Sequence, residues 1–367
     1  MAKSLFVAAA AMNTAMATAS PVATLVVADR LGPAWGGVPS TAAITGTGVG
    51  ALILARSVSR RGWRHGLLVA FCCAVAGGLL AAAARGPVPL SVALVLLGYG
   101  NAGALLARYA VAETHPARHR GTAMGLLVWA GAIGAVGGPL LLGVLHPATV
   151  VFLVAALAAA AAAAGAATLP RTVAAEPPTG RMDLSGIRTP LLVMGTAQVV
   201  MVAVMTAAPV EMHVHHHGLA TIGVVLSAHT LGMFALSPVT GRLADRLGAR
   251  PVMAAGLVTV AAGPVLAAVG APRVLAFLLL GYGWNLCLIG GSAVLATRVP
   301  EPLRARAEGT VDGMVWVAAA AGGLASTGLL TIGGYGLLAA LAVAAIGPAG
   351  LSVVRLQNHH PVRRDGQ

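Results

Sequence analysis

Two residue pairs carry the chemistry most readily seen in this chain. Met201 and Met205 are four apart, and so are His229 and Met233. On a helix that spacing puts both side chains on one face, with roughly 6 Å between Cβ atoms. Three thioethers and an imidazole make a soft donor set of the kind that suits Cu(I). Thioethers bind without losing a proton, so such a site could load and release an ion with no acid–base step. Between the pairs runs Glu211-Met212-His213-Val214-His215-His216-His217. Short His-rich tracts commonly bind metals. His213, His215, His216 and His217 lack the rigid spacing of a structural zinc site. They fit a capture funnel above the Met/His pairs, or a solvated, pH-sensitive loop. Methionine at helical spacing is also good adaptable packing. His229 is harder to assign to packing, because an imidazole in apolar surroundings still needs a polar partner.

Few other side chains are placed to act. Met12 and Met16, again four apart, and Asn13 beside them could meet the same site from another helix, or pack a core. Glu113 and Asp312 stand near the ends of apolar runs. Either could carry a coupling proton, although an interfacial carboxylate is the simpler account. Cys72, Cys73 and Cys287 have neither metal-ligand nor disulfide spacing and read as small apolar residues. There is no nucleotide-binding loop and no credible catalytic triad, so the chain reads as a non-enzyme without a cofactor.

The elements that must hold these residues are membrane helices. The chain has 367 residues, 58% of them hydrophobic and only 9% charged, whereas soluble domains are roughly a quarter charged. Nearly every window of about 20 residues is apolar, the length that crosses ~30 Å of hydrocarbon. Backbone in lipid must satisfy itself, and no alternating strand pattern suggests a barrel. The expected fold class is therefore all-α, with twelve spans near 4–27, 38–56, 66–84, 88–112, 121–144, 147–169, 190–211, 219–239, 251–270, 273–296, 309–330 and 334–354. The first twenty residues have the look of an export signal, but removing them would spoil both this series and the repeat described below. A net charge of +13 could point to nucleic acid. The basic residues instead sit in short loops, and all of them except Arg30, Arg85 and Arg273 fall on the N-terminal side of the spans or at span ends facing it. That bias puts both termini in the cytoplasm and the protein in the inner or plasma membrane, with the lipid bilayer and no nucleic acid as its partner.

The two halves repeat each other. Leu97-Gly98-Tyr99-Gly100 matches Leu280-Gly281-Tyr282-Gly283, and Gly121-Thr122 opening span 5 matches Gly309-Thr310 opening span 11. Met12-x3-Met16 with Pro21-Val22 parallels Met201-x3-Met205 with Pro209-Val210. Between spans 8 and 9 lies Gly241-Arg242-Leu243-Ala244-Asp245-Arg246-Leu247-Gly248-Ala249-Arg250. This charged stretch resembles the signature loop of the major facilitator superfamily. The resemblance covers the whole chain. It implies two pseudo-symmetric six-helix halves, 1–170 and 190–354, with a cytoplasmic linker at 171–189, a cytoplasmic tail at 355–367 and a site between the halves. It also implies a monomer that rocks around that site. Gly241, Asp245, Arg246, Gly248 and Arg250 are then gating residues, since the family's Asp and Arg hold the cytoplasmic ends together in the outward-facing state. Asp245 is expected to accept hydrogen bonds from a nearby Arg and from the N-terminus of span 5 near Gly121. The N-terminal copy keeps Arg60, Gly62 and Arg64, but has Ser59 in place of Asp and Ala55 in place of the first Gly. Gating should therefore rest mainly on the second copy.

Met-x3-Met in span 7 with His-x3-Met in span 8 resembles the CcoA-like copper importers of that superfamily, which implies copper handling by Met201, Met205, His229 and Met233. Riboflavin transporters are also relatives of that group. Gly131, Gly134, Gly137, Gly138, Pro139 and Gly143 in span 5 look like the antiporter motif of family exporters, but Leu94 stands where those carry a basic residue. The expectation is a secondary transporter importing copper or a related soft metal. Its rivals are a proton-coupled exporter of small amphiphilic drugs or metabolites, a riboflavin-like small-molecule importer, and a non-transporting metal sensor.

Overall fold

A computed structural model describes residues 2–31, 35, 37–142, 147–170, 184–214 and 219–356. Those residues form α1 (Ala2–Leu31), α2 (Gly37–Ala83), α3 (Pro87–Glu113), α4 (Arg120–Leu142), α5 (Ala148–Ala167), α6 (Leu184–Val214), α7 (Leu219–Phe234), α8 (Ser237–Leu247), α9 (Ala249–Ala268), α10 (Arg273–Arg298) and α11 (Glu301–Arg355). A 3-10 turn, Ala117–His119, precedes α4. Eight stretches of the described residues are long and apolar enough to cross a bilayer, the longest being Val38–Ala83 at 46 residues.

Helix boundaries depart from the twelve expected spans where glycine absorbs a reversal. α2 runs through Gly62 (φ 78°) and α11 through Gly334 (φ 57°), so each holds two apolar runs joined without a loop. Span 8 is instead divided, with α7 ending at Phe234 and α8 beginning at Ser237. The signature stretch is not a turn: residues 241–247 are helical, and the chain reverses at Gly248 alone (φ 85°, ψ 160°). Only glycine adopts such a positive φ at no steric cost. α6 begins at Leu184, within the stretch expected as linker; residues 171–183 and 357–367 lie outside the described residues.

α1 to α5 pack mainly on one another, as do α6 to α11. Two seams join the groups: α2 against α11, and α4 against α7 and α8. Small residues set the helix separations, as they do where lipid supplies no hydrophobic drive between helices. A Cβ on Gly125 of α4 would collide with the Ser237 carbonyl, and one on Gly134 with the Ala10 carbonyl of α1. Gly134 also lies against Thr14, its Cβ position being 2.6 Å from the Thr14 amide nitrogen. Gly134→Val should therefore lower the thermal midpoint in detergent, with an overpacking cost of about 1–3 kcal/mol. Gly336→Ala, where a Cβ meets nothing within 4 Å, should leave the midpoint unchanged or raise it. Equal midpoints for the two variants would sink this account of the seams.

Basic residues mark one end of the bundle. There Arg120 Nη1 donates to the Ala296 carbonyl (2.7 Å), Arg250 Nε to Val353 (3.0 Å) and Arg298 Nη2 to Leu356 (3.3 Å). Each guanidinium meets carbonyls at a helix C-terminus, where the helix dipole favours a cation. At the opposite end Arg30 donates to the Arg85 carbonyl.

Candidate substrate pathway and gate

Besides the Arg120–Ala296 bond, two carboxylate contacts join the helix groups toward the basic end. In the first, Asp245 of α8 sits on the N-terminus of α4. Its Oδ1 accepts the Gly121 amide (2.8 Å), and its Oδ2 accepts the Thr122 amide (2.7 Å) and the Thr122 hydroxyl. The first amides of a helix have no partner inside it and carry the positive end of the dipole, so a carboxylate there is held by charge and by hydrogen bonds together. The expected arginine partner is absent: among the described residues no guanidinium makes an ion pair with Asp245. Arg246 is exposed, and Arg250 is engaged at Val353 instead.

The degenerate copy has the same backbone but not the same contact. Gly62 (φ 78°, ψ 168°) and Gly248 (φ 85°, ψ 160°) share one conformation at matching places in the two repeats. Ala55, in the place of Gly241, meets Gly309 of α11 as Gly241 meets Gly121 of α4. Ser59 bonds only to Arg56 of its own helix (3.0 Å). The reason lies on the other side of the seam. α4 starts at Arg120, so the amides of Gly121 and Thr122 are free, whereas α11 starts at Glu301, two turns before Gly309. The amides of Gly309 and Thr310 are spent inside that helix, and an aspartate opposite them would find no donors.

The second contact is a buried ion pair. Arg108 of α3 places Nη2 at 2.7 and 2.8 Å from the two oxygens of Asp312 on α11, with both side chains at most 3% exposed. Arg108 Nε donates to Ser292 (2.9 Å), Nη1 to the Leu105 carbonyl (2.6 Å) and Nη2 also to the Tyr109 hydroxyl (2.9 Å). A buried pair is tolerable only when its remaining donors are satisfied in this way. From the sequence, Arg108 reads as an orienting charge at the end of span 4; the structure buries it five residues before the end of α3. Its signal is an arginine inside an apolar run, which is itself a mark of function in a membrane helix.

Above the pair is a narrow cavity lined by Leu105, Gln198, Trp284, Leu288, Val315 and Trp316. Trp284 Nε1 donates to Gln198 Oε1, which fixes the amide and leaves Gln198 Nε2 buried with no hydrogen-bond partner. The site therefore offers two aromatic walls, one free N–H donor group and a charged floor.

The Met/His pairs lie on two separate helices, α6 and α7. Each of α6 and α7 packs on α10, and they make almost no contact with each other. Met201 is buried on α6 and Met205 half-buried; on α7, His229 is 3% exposed and Met233 half-buried. His229 Nδ1 lies 3.2 Å from the Phe277 carbonyl of α10. Met12 is fully buried against Gly100 of α3, and Met16 is half-buried. Asn13 donates to the Ala9 carbonyl of its own helix (2.9 Å) beside Gly131 of α4. Met12 and Asn13 thus lie where α1 packs on α3 and α4. Among the described residues no group of three His, Cys, Asp or Glu could hold a metal ion; His215, His216 and His217 lie outside them, as does the side chain of His213.

The Major Facilitator Superfamily profile matches residues 190–366. The chain is 31% identical over 355 residues to the uncharacterized MFS-type transporter YdeG of Bacillus subtilis (strain 168), covering 87% of this chain and 82% of that protein. It is 34% identical over 142 residues to the riboflavin transporter RfnT of Brucella anthropi, covering 36% of each. Among solved structures, the human organic anion transporter MFSD10 (TETRAN) superposes with a TM-score of 0.84 at 16% identity, over 96% of this chain and 98% of that one.

Proposed function

Given that the chain belongs to the major facilitator superfamily of membrane transporters, we propose that it carries a small, flat organic solute across the cell membrane by alternating access. It is an integral membrane protein and a transporter rather than an enzyme. In this reading the helices make twelve spans: α2 and α11 each count as two, divided at Gly62 and Gly334, and α7 with α8 counts as one. The halves 1–170 and 190–354 rock about the cavity, and the basic end faces the cytoplasm. The clustering of arginines at that end supports the orientation.

One observation carries the reading. The Arg108–Asp312 pair joins the two helix groups directly beneath the cavity, so the cavity is sealed at the basic end while the pair holds. Trp284 and Trp316 suit a flat ring, and the free Gln198 amide suits an acceptor on it. The partial likeness to a riboflavin transporter supports that class. Of the glycines that resemble an exporter motif, Gly131 and Gly134 let α1 approach.

A second reading keeps copper as the solute, and His229 favours it. An imidazole whose Nδ1–H donates to the Phe277 carbonyl keeps its Nε2 lone pair free, the arrangement common in metal-binding histidines. Opening of the halves would then have to bring sulfur from Met233 or α6 to that nitrogen.

Uptake of two radioactive probes separates these readings: riboflavin, and copper in its reduced form. Cells expressing wild type, Gln198→Leu/Trp284→Leu and His229→Ala/Met233→Ala are compared at matched membrane abundance. Riboflavin accumulation that rises with wild type and falls roughly tenfold or more in the Gln198/Trp284 variant, the loss expected for an unpaired buried polar contact plus a lost stacking wall, supports the flat solute. Copper accumulation lost in the His229/Met233 variant alone moves the assignment to copper. No accumulation of either probe removes both substrate classes.

A further inference from the structure

We propose that Glu308 is the proton-binding site of this transporter, loaded while the basic end is closed and emptied when that end opens. The proposal rests on the alternating-access reading above.

Glu308 is 0% exposed, and neither carboxyl oxygen has a hydrogen-bond partner among the described residues. An ionised carboxylate stripped of water and left without donors is too costly to persist. The group is either neutral or waiting for a partner that arrives with movement. It stands on α11 beside Gly309, which meets Ala55 of α2, so it lies at a seam that must part when the basic end opens. The charged and titratable groups that face it are Arg108, Tyr109 and Glu113 of α3 and Arg304 and Asp312 of α11 itself. None of them hydrogen-bonds to it. Arg108 is committed to Asp312, Ser292, Leu105 and Tyr109. Glu113 accepts from Trp63 (2.8 Å). The one donation recorded for Arg304 goes to the Val299 carbonyl (3.4 Å), and its Nε is buried without a partner.

Glu308 and Asp312 are four apart on one helix face, and Asp312 lines the cavity. The cavity side is therefore the route by which a proton reaches Glu308 in the closed state. When the seam parts, water reaches the carboxyl, the O–H bond ionises, and the proton leaves at the basic end while the carboxylate stays hydrated. One proton per cycle then moves from the cavity side to the basic end. Because the closed state binds the proton more tightly, low pH favours the closed state and high pH the open one.

The test reads opening directly, with no substrate required. Leu105→Cys is placed in a background with Cys72, Cys73 and Cys287 replaced, and inside-out vesicles are labelled with a membrane-impermeant maleimide. Labelling of the Glu308 parent should rise roughly tenfold between about pH 5.5 and about pH 8, within the limit of tenfold per pH unit for one coupled proton. Values are corrected for intrinsic thiol reactivity using a thiol outside the membrane. Glu308→Gln should label slowly at every pH. Asp245→Asn, which breaks the other latch, should label fast at every pH. A Glu308→Gln profile that follows the parent overturns the proposal, and so does a parent profile flat in pH while Asp245→Asn labels fast. If Asp245→Asn labels no faster than the parent, the gating reading falls and takes this one with it. If Glu308→Gln does not reach the membrane, infrared difference spectra of the wild type decide. A protonated-carboxyl band that shifts with 13C-glutamate and vanishes in step with labelling supports Glu308, and no such band overturns it.

Discussion

Asp312→Asn will destabilise the closed protein by about 3–5 kcal/mol, the cost of stranding a buried charge. Arg108 is left in place by that change, 2% exposed, with Ser292, Tyr109 and the Leu105 carbonyl around it but no hydrogen-bonded counter-charge. Thermal unfolding in detergent should show the largest loss of any single polar substitution in the chain, together with reduced membrane abundance. Arg108→Gln/Asp312→Asn should be less damaging than the sum of its parts, because two neutral amides can bond each other. A reversed pair, Arg108→Asp/Asp312→Arg, should not restore the wild type. Ser292, Tyr109 and Leu105 present oxygens to a guanidinium rooted on α3, and an aspartate there would face acceptors. An Asp312→Asn midpoint within about a degree of wild type, far less than the shift such a loss implies, would mean that the pair does not hold the halves together.

Asp245→Asn should act on the balance of states and hardly on folding. The carboxylate takes three hydrogen bonds across the α4–α8 seam and none within its own half. An amide in its place keeps one acceptor and turns an N–H₂ toward another donor. Charge-assisted bonds are worth about 1.5–3 kcal/mol each. With one partly kept and the seam half-exposed, a loss of about 2–4 kcal/mol is expected, roughly 30- to 700-fold in the closed-to-open ratio. The maleimide assay described for Glu308 measures this directly, and the thermal midpoint serves as its control. The mirror substitution, Ser59→Asp, should not gain a latch, because α11 has no free amides at Gly309 and Thr310 to receive it. Tighter closure in Ser59→Asp would contradict that account of the lost repeat.

Much of the site was legible locally. The repeated glycines Gly62 and Gly248 follow from the repeat, since a positive-φ reversal is a property of neighbouring residues, whereas Asp245 on the N-terminus of span 5, 124 residues away, was implied by the family resemblance. The loss of Asp from the first copy was visible at Ser59, but its cause was not, because that cause is the earlier start of α11 on the opposite half. The Met/His pairs show the reverse. Spacing correctly placed Met201 with Met205, and His229 with Met233, on shared helices. It carried no information on which helices touch.

By itself, then, the sequence determined that the chain is built of membrane helices, that arginines gather at one end, and that the first copy of the signature stretch lacks its aspartate. Those follow from composition, glycine placement and charge, each readable within about 20 residues, the length of one span. Only the tertiary structure decided that Arg108 meets Asp312, 204 residues away, that α10 stands between α6 and α7, and that Glu308 is left with no partner. Pairing across the bundle depends on how closely glycine-lined helix faces approach and at what register, and no local pattern encodes the face that a distant helix will present.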